Sequence, residues 1–598
     1  MIRHQGALEL GLIGNCRVAA LVNTTGRLVW WCYPHFDGDP VFSRLLAGDD
    51  EKGFADCLLA GQSASRSHYL RNSAIISTTL EDAQGNAVRI TDFAPRFQQY
   101  GRNFRPAQLC RLIEPVHGLP RVTLRIRPTH GYGKPCHAVA GSSHIRYLGG
   151  ADTIRLTTDA PLSYILRETP FALTHPISMV MGVDEPLDDA PEEVVKGFLK
   201  RTCACWHEWV RALAIPFEWQ EVVIRAAITL KLCSFEETGA IVAAMTTSIP
   251  EAPASQRNWD YRYCWLRDAY FVIQALNRLG ATKTMERYVD FITTVAAGGT
   301  DLRPLYGIVP DLDLHERVEL NLAGFLGHGP VRVGNQAAEQ NQHDVFGSVV
   351  LAVVQSFVDQ RLPNPGDEGM LRLLEPLATR AASLAFEADA GIWEYRGRRR
   401  VHTHSALLCW AACDRVGRIA ARLGLRSATA TWQVEAQRLR QRILCDAWSE
   451  RRQSFTGSFG SDDLDASVLL MSELGLIDAQ DPRFIATVEC VGRELSVNGH
   501  LLRYARADDF GVPETAFLVV KFWYLDALAA IGRRDEAREL YAELVVARNA
   551  YGLLAEDLHP FTGELWGNIP QTYSMAGLVN TAMRLSISWE EGLCRGSW

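Results

Sequence analysis

The hydrophobic period of this chain changes once, near residue 219, and no other feature of the sequence limits its fold as much. Before that point apolar residues alternate. RVTLRIRP puts Val122, Leu124 and Ile126 on one face, while CRVAALV with RLVWWCY, and SAIISTTLED with AVRITDF, read as hairpins turning at 23–26 and near Gly85. TIRLTTD and LSYILRE continue the pattern as strands, so residues 1–185 are expected to form an antiparallel β-sandwich. An acidic, proline-bearing stretch at 184–191 leads into EEVVKGFLKRTCACWHEWVRAL, read as a helical linker over 186–215. From 219 onward apolar residues recur every third or fourth position. Roughly twelve helical stretches begin near 219, 267, 284, 337, 368, 404, 427, 463, 482, 513, 534 and 573. Gly280, Gly424 and Gly532 stand where helix C-termini favour glycine, and Pro513 suits a first helical turn. No fixed-length repeat accompanies the helices of 216–598, which argues for a closed array of helical hairpins over a solenoid; twelve helices could close as six inner and six outer, an (α/α)6 barrel, though the count alone does not establish it.

The long segments between these helices, 250–266, 298–336, 388–403, 496–512 and 550–572, are rich in Trp, Tyr, Arg, Asp and Glu, and together suggest one site rim. The densest, RNWDYRYCWLRDAYF at 257–271, holds six aromatics, three arginines and two aspartates. In DAGIWEYRGRRRVHTHS, Glu394 lies between Trp393 and Tyr395, flanked by Gly391 and Gly397, so a tight turn and an aromatic wall would raise its pKa as a general acid requires. In YGLLAEDLHPFTGELWGNIPQTYS, Glu556 follows an apolar run and is placed to point inward as a base on water. Asp557 is its rival, and Glu564 reads as a turn residue. Two carboxylates from distant loops with abundant aromatics fit glycoside hydrolysis, where inverting enzymes hold the pair roughly 6.5–9.5 Å apart.

Other chemistries find less support. With 61 basic against 69 acidic residues and a net charge of −8, nothing favours a nucleic-acid partner. Glu9 interrupts the apolar N-terminal stretch, so no signal-peptide layout is read, and no apolar run approaches the roughly 18 residues of a membrane span. The 14 cysteines lack a CxxC pair and read as reduced thiols of a cytoplasmic protein; Cys409 and Cys413 share a helix face without a second ligand pair, so no metal is expected. His402 and His404 enter a helix, the 330–347 stretch lacks nucleotide-loop spacing, and no GxSxG elbow appears in the barrel loops.

At this point several blocks, in order along almost the whole chain, carry a resemblance: LIGNCRVAALVNTTGRLVWWCYPHFD, RNWDYRYCWLRDA, GPVRVGNQA, GIWEYRG, GVPETAFLVVKFWYLDAL and LLAEDLHPFTGELWGNIPQTYSMAGL. The chain resembles glycoside hydrolase family 15, the glucoamylase family, in its bacterial and archaeal branch of glucoamylases, glucodextranases, isomaltose-acting enzymes and α,α-trehalases. The resemblance implies a β-sandwich, a helical linker and an (α/α)6 barrel with the site at its mouth. It implies that Arg267 and Asp268 hold hydroxyls of the terminal glucose beside Trp265, that Glu394 is the general acid and Glu556 the general base, and that no cofactor takes part. Tyr395 stands where the fungal enzymes carry a second acidic residue, which leaves substrate choice open. His402, Trp393 and Trp566 are expected sugar contacts.

The expected reaction is inverting, exo-acting release of β-glucose from trehalose or a short α-glucan. An α-1,6-glucohydrolase acting on isomaltose or dextran is the alternative within the class. A phosphorylase would lack the second carboxylate, a non-catalytic sugar-binding protein would have lost Glu394 or Glu556, and a helical scaffold would need neither. Arg257, Asp260 and Arg262 are expected to pair among themselves and brace their loop. Apolar sandwich surface leaves room for a homo-oligomer without locating the patch.

Overall fold

The computed structural model describes residues 7–49, 51–299, 301–309 and 313–595. The remaining ends of the two expected domains, and parts of the 298–336 segment, lie outside the described residues.

Two antiparallel sheets come first. One runs in spatial order Leu10–Gly14, Ala19–Asn23, Leu28–Tyr33, Phe54–Leu59, Arg121–Arg127 and Phe171–Ala172, with Asp39–Phe42 added along Leu28–Tyr33. The other has eight strands, from His137–Ala140 at one edge through Ile177–Gly182 and Gln108–His117 to Gln62–Tyr69 at the other. Register follows the apolar alternation: Val122 faces Leu59, Leu124 faces Cys57 and Ile126 faces Ala55. Leu10–Gly14 and Leu28–Tyr33 are buried throughout, not alternately. Their second face is covered by the helical part, where the Met245 carbonyl accepts from the Trp30 indole at 2.8 Å.

One expected strand is a helix. LSYILRE forms Leu162–Arg167, with only Ile165 buried, because Pro161 pre-sets the first turn and Glu168 closes it with a left-handed φ of 51°. Pro191–Arg211 then crosses the outer face of the eight-stranded sheet, where Val195 is buried with Phe93, Cys110, Leu112 and Val180.

The helices that follow close a ring. Leu266–Arg278 touches Asp344–Val353, which touches Thr403–Arg422; the ring continues through Ala466–Leu469 with Leu470–Glu473, then Leu518–Ala530 and Thr572–Leu585, which returns to Leu266–Arg278. Gln220–Leu232, Thr282–Ala297, Glu368–Leu384, Arg426–Asp446, Pro482–Glu494 and Arg534–Val546 form the outer layer. Burial separates the layers. Leu518–Ala530 buries ten of its thirteen residues, whereas Arg426–Asp446 buries four of twenty-one, the mark of a helix with one solvated face. This is an (α/α)6 barrel behind an antiparallel β-sandwich.

The glycine stops are as expected: Gly280, Gly424 and Gly532 have φ of 80°, 78° and 97°. Three helix starts differ. The one read near 337 is a 3-10 turn, Gln336–Glu339, and the long helix begins at Asp344. The one near 463 is a 3-10 turn capped by Asp465, running into Leu470–Glu473. Pro513 precedes its helix, which starts at Leu518, because Ala516–Phe517 instead pairs as a strand with Asp557–Leu558. Cys409 and Cys413 contact the backbone carbonyls of His343 and Ala378 inside the barrel. No described helix is long and apolar enough to cross a membrane.

Candidate active site

The long segments entering the inner helices all meet at one mouth of the barrel, around a cavity lined by polar and aromatic side chains. Trp265 immediately precedes the helix Leu266–Arg278, so Arg267 and Asp268 occupy its first turn and project into the mouth.

Glu394 comes from a loop built on a buried carboxylate. Asp389 accepts from the backbone N–H groups of His343 and Gly391 at 2.8 and 3.1 Å and from the Ser405 hydroxyl at 2.7 Å. The turn that follows forces Glu394 to φ 59°, a region L-residues rarely adopt and one that concentrates at functional sites. Its Oε1 accepts from the Trp265 indole at 2.8 Å and from Arg267 Nη2 at 3.1 Å. The carboxylate therefore meets two donors, not the purely desolvating aromatic wall expected from its neighbours in sequence. Trp393 points elsewhere, donating to Asp465 at 2.8 Å while its ring packs on Phe517 and still lines the cavity.

Glu556 enters from the far side. It immediately precedes the strand Asp557–Leu558, and Gly567 lies so close that a Cβ there would stand 2.6 Å from the Glu556 Cβ, a position only glycine can fill. Glu556 Oε1 accepts from the Tyr261 hydroxyl at 2.7 Å, and Oε2 has no protein partner. Burial, and then the charge of Glu251, push this carboxyl above its ordinary range; the Tyr261 hydroxyl and the Arg503 guanidinium oppose them. Asp557 is turned away from the cavity, accepting from Thr515 at 3.2 Å, and burial with the neighbouring Glu556 charge pushes it up as well. Glu564 sits in the exposed 559–564 turn, where it accepts from Thr562.

An aromatic pair separates the two glutamates. The Trp265 and Tyr261 rings meet edge to face at 5.4 Å, one donating to Glu394 and the other to Glu556. Arg267 is a hub: its guanidinium also donates to Tyr573 at 3.0 Å, Gln342 at 2.9 Å and Asp344 at 3.3 Å. That uses four of its five N–H groups and leaves one for a ligand. Asp268 has an unpartnered Oδ2, and burial raises its pKa to about 7 against the pull of Arg267.

Two expected contacts lie off the cavity wall. His402 is stacked under Tyr395 at 5.6 Å, and burial lowers its pKa to about 4, which makes it neutral; its buried Nε2 has no hydrogen-bond partner among the described residues. Trp566 packs against Phe325 and His328. Of the loop residues left unexplained, Asp260 and Arg262 do pair, at 2.7 Å, and Arg262 also reaches Tyr132 and the Gly38 carbonyl of the sandwich. Arg257 does not join them; it forms a two-point ion pair with Asp508 at 2.6 and 2.7 Å.

Sequence reading missed Tyr261, Glu251 and Arg503. Glu251 accepts from Trp259 at 3.0 Å and from Arg503 at 2.7 Å, beside Glu556. Arg503 and Asp508 lie in the 496–512 segment, whose richness in charge was the available signal. Asp509 of the same segment accepts from the backbone N–H groups of Arg396 and Gly397 at 2.7 and 3.1 Å, tying it to the Glu394 loop.

Comparison with known proteins gives consistent relatives. The family model for glycosyl hydrolases family 15 matches residues 219–583, and a trehalase-like N-terminal model matches residues 5–163. A trehalase of Thermoplasma volcanium is 29% identical over 96% of this chain and 93% of its own. A trehalase of Mycolicibacterium smegmatis is 28% identical over 98% and 92%. Among solved structures, a bacterial glucoamylase complexed with acarbose shares the fold, with a TM-score of 0.68 at 13% identity, covering 97% of this chain and 94% of that one.

Proposed function

The chain belongs to glycosyl hydrolases family 15 and is a glycoside hydrolase, and from that premise we propose that it cleaves α,α-trehalose by an inverting, exo-acting mechanism. The observation that carries this reading is the pair of glutamates on one cavity, held apart by Trp265 and Tyr261. In the proposed reaction one glucose unit enters with its hydroxyls on the free oxygen of Asp268 and the spare N–H of Arg267, against the Trp265 and Trp393 rings. Glu394 gives its proton to the glycosidic oxygen as the bond from that oxygen to C1 breaks. Glu556 takes a proton from water on the opposite face as the new bond to C1 forms. Glu556 is preferred to Asp557 because only Glu556 lines the cavity, with an oxygen free to meet water. Trehalose is preferred to maltooligosaccharides and α-1,6 sugars because relatives named trehalase align over nearly the whole chain. We place the reaction in the cytoplasm, since all fourteen cysteines are unpaired.

The test is incubation with trehalose, maltose, maltotriose and isomaltose, with the anomers followed by NMR before mutarotation. Inversion of trehalose yields one β-glucose, from the attacked unit, and one α-glucose, from the leaving unit. Two α-glucoses would refute inversion, and faster turnover of isomaltose or maltose would refute the substrate.

A further inference from the structure

The barrel has a second cavity at the end opposite the one described above. Its polar walls come from the late turns of the inner helices: Asn580 and Arg584 of Thr572–Leu585, Asp526 of Leu518–Ala530, Glu473 of Leu470–Glu473 and Arg278 of Leu266–Arg278. Three aromatics roof it. Tyr573 packs on Phe271 at 5.1 Å and on Trp523 at 6.2 Å, and Tyr573 lines both cavities.

We propose that this lower cavity is a second binding site, for a small neutral polyhydroxylated ligand of the monosaccharide class. Its charges cancel: Glu473 accepts from Arg584 and lies 3.6 Å from Arg278, and Arg584 Nε stands 3.3 Å from Asp526 Oδ1. An ion of either sign therefore finds no net field to hold it. Hydrogen-bonding capacity nevertheless remains. Asn580 is only 8% exposed, yet its Oδ1 has no partner, and Asp526 Oδ1 and Arg584 Nε face each other without forming a hydrogen bond. Native interiors rarely leave a buried carbonyl such as Asn580 Oδ1 unmet beside a cavity. Apolar aromatic faces beside a few converging polar atoms suit a pyranose, whose C–H face stacks while its hydroxyls bridge donors and acceptors. Because the Tyr573 hydroxyl accepts from Arg267, a ligand beneath Tyr573 bears on the upper cavity through a single side chain.

D-glucose is the probe, titrated by saturation-transfer NMR and calorimetry into wild type, Asn580→Leu, Ser472→Trp and, as a control in the upper cavity, Asp268→Ala. Asn580→Leu removes the unpartnered carbonyl. Ser472→Trp fills the mouth from a half-buried position and keeps the test open should the first variant fold poorly. The expected result is a glucose-binding step that survives Asp268→Ala and weakens about tenfold or more in both other variants, as loss of one buried hydrogen bond requires. Wild-type stoichiometry and affinity in Asn580→Leu and Ser472→Trp, or binding that disappears entirely with Asp268→Ala, would overturn the proposal.

Discussion

Replacing Tyr261 by Phe deletes one oxygen and leaves the ring that packs on Trp265 in place. That oxygen donates to Glu556 at 2.7 Å, and no other donor among the described residues hydrogen-bonds this carboxyl, whose second oxygen is unpartnered. A hydrogen bond to a charged group contributes about 1.5–3 kcal/mol. At roughly 1.4 kcal/mol per unit, losing it raises the Glu556 pKa by about 1–2 units beyond the elevation that burial already imposes. A base acts only when ionised, so the acid limb of the kcat/KM profile moves to higher pH by the same amount. Below that limb kcat/KM falls about 10–100-fold, and above it the variant approaches wild type. The assay is trehalose hydrolysis across pH by coupled glucose detection, with circular dichroism to show the fold intact. An acid limb that stays in place with unchanged kcat/KM would refute the inference that this hydroxyl lowers the Glu556 pKa.

Three further outcomes are expected. Glu394→Gln and Glu556→Gln each lower kcat by about 10²–10⁴-fold while retaining the wild-type circular dichroism spectrum, and wild-type turnover by Glu556→Gln would move the base to Asp557. Burial lifts both Glu556 and Asp557, so the folded state holds protons that the unfolded chain releases, and stability falls as pH rises from about 4, the unfolded carboxyl range, through the folded values. Glu556→Gln removes part of that fall, which urea unfolding near about pH 5 and about pH 8 measures; an unaltered slope would contradict it. Arg257→Ala removes the cation facing Asp508, whose side chain is 5% exposed and keeps the Tyr504 hydroxyl and the Phe510 backbone N–H as donors. It should cost about 3–5 kcal/mol by denaturation and raise KM more than it lowers kcat, because the 496–512 segment loses its ion pair to the 250–266 loop across the mouth; unchanged KM would separate that segment from substrate binding.

Local pattern and long-range contact contributed differently to this protein. The switch from a period of two to one of three or four is a local property, because the apolar stripe of a strand or helix depends only on residue spacing, and it identified the sandwich, the barrel and the glycine stops at Gly280, Gly424 and Gly532. Local composition was also enough to mark the 257–271 stretch and to single out Glu394 and Glu556, since charge set among aromatics and glycines stands out wherever the chain later places it; Trp265, Arg267 and Asp268 were named through the family resemblance. LSYILRE became a helix for a local reason, its flanking Pro161 and Glu168, whereas other departures came where a partner distant in sequence decided the outcome. Ala516–Phe517 became strand because Asp557–Leu558 lay beside it, His402 was covered by Tyr395, and Arg257 met Asp508 across the mouth instead of Asp260 three residues away.

By itself the sequence determined most of the strand and helix segments and which side chains could carry chemistry. Only the tertiary structure decided that Tyr261 serves Glu556 while Trp265 serves Glu394, that Asp557 turns away where Glu556 turns in, and that a second cavity lies beneath Tyr573. The reason is physical: hydrogen-bond partners and burial depend on where six inner helices bring their ends together in space, and no periodicity along the chain encodes a distance between residues nearly three hundred positions apart.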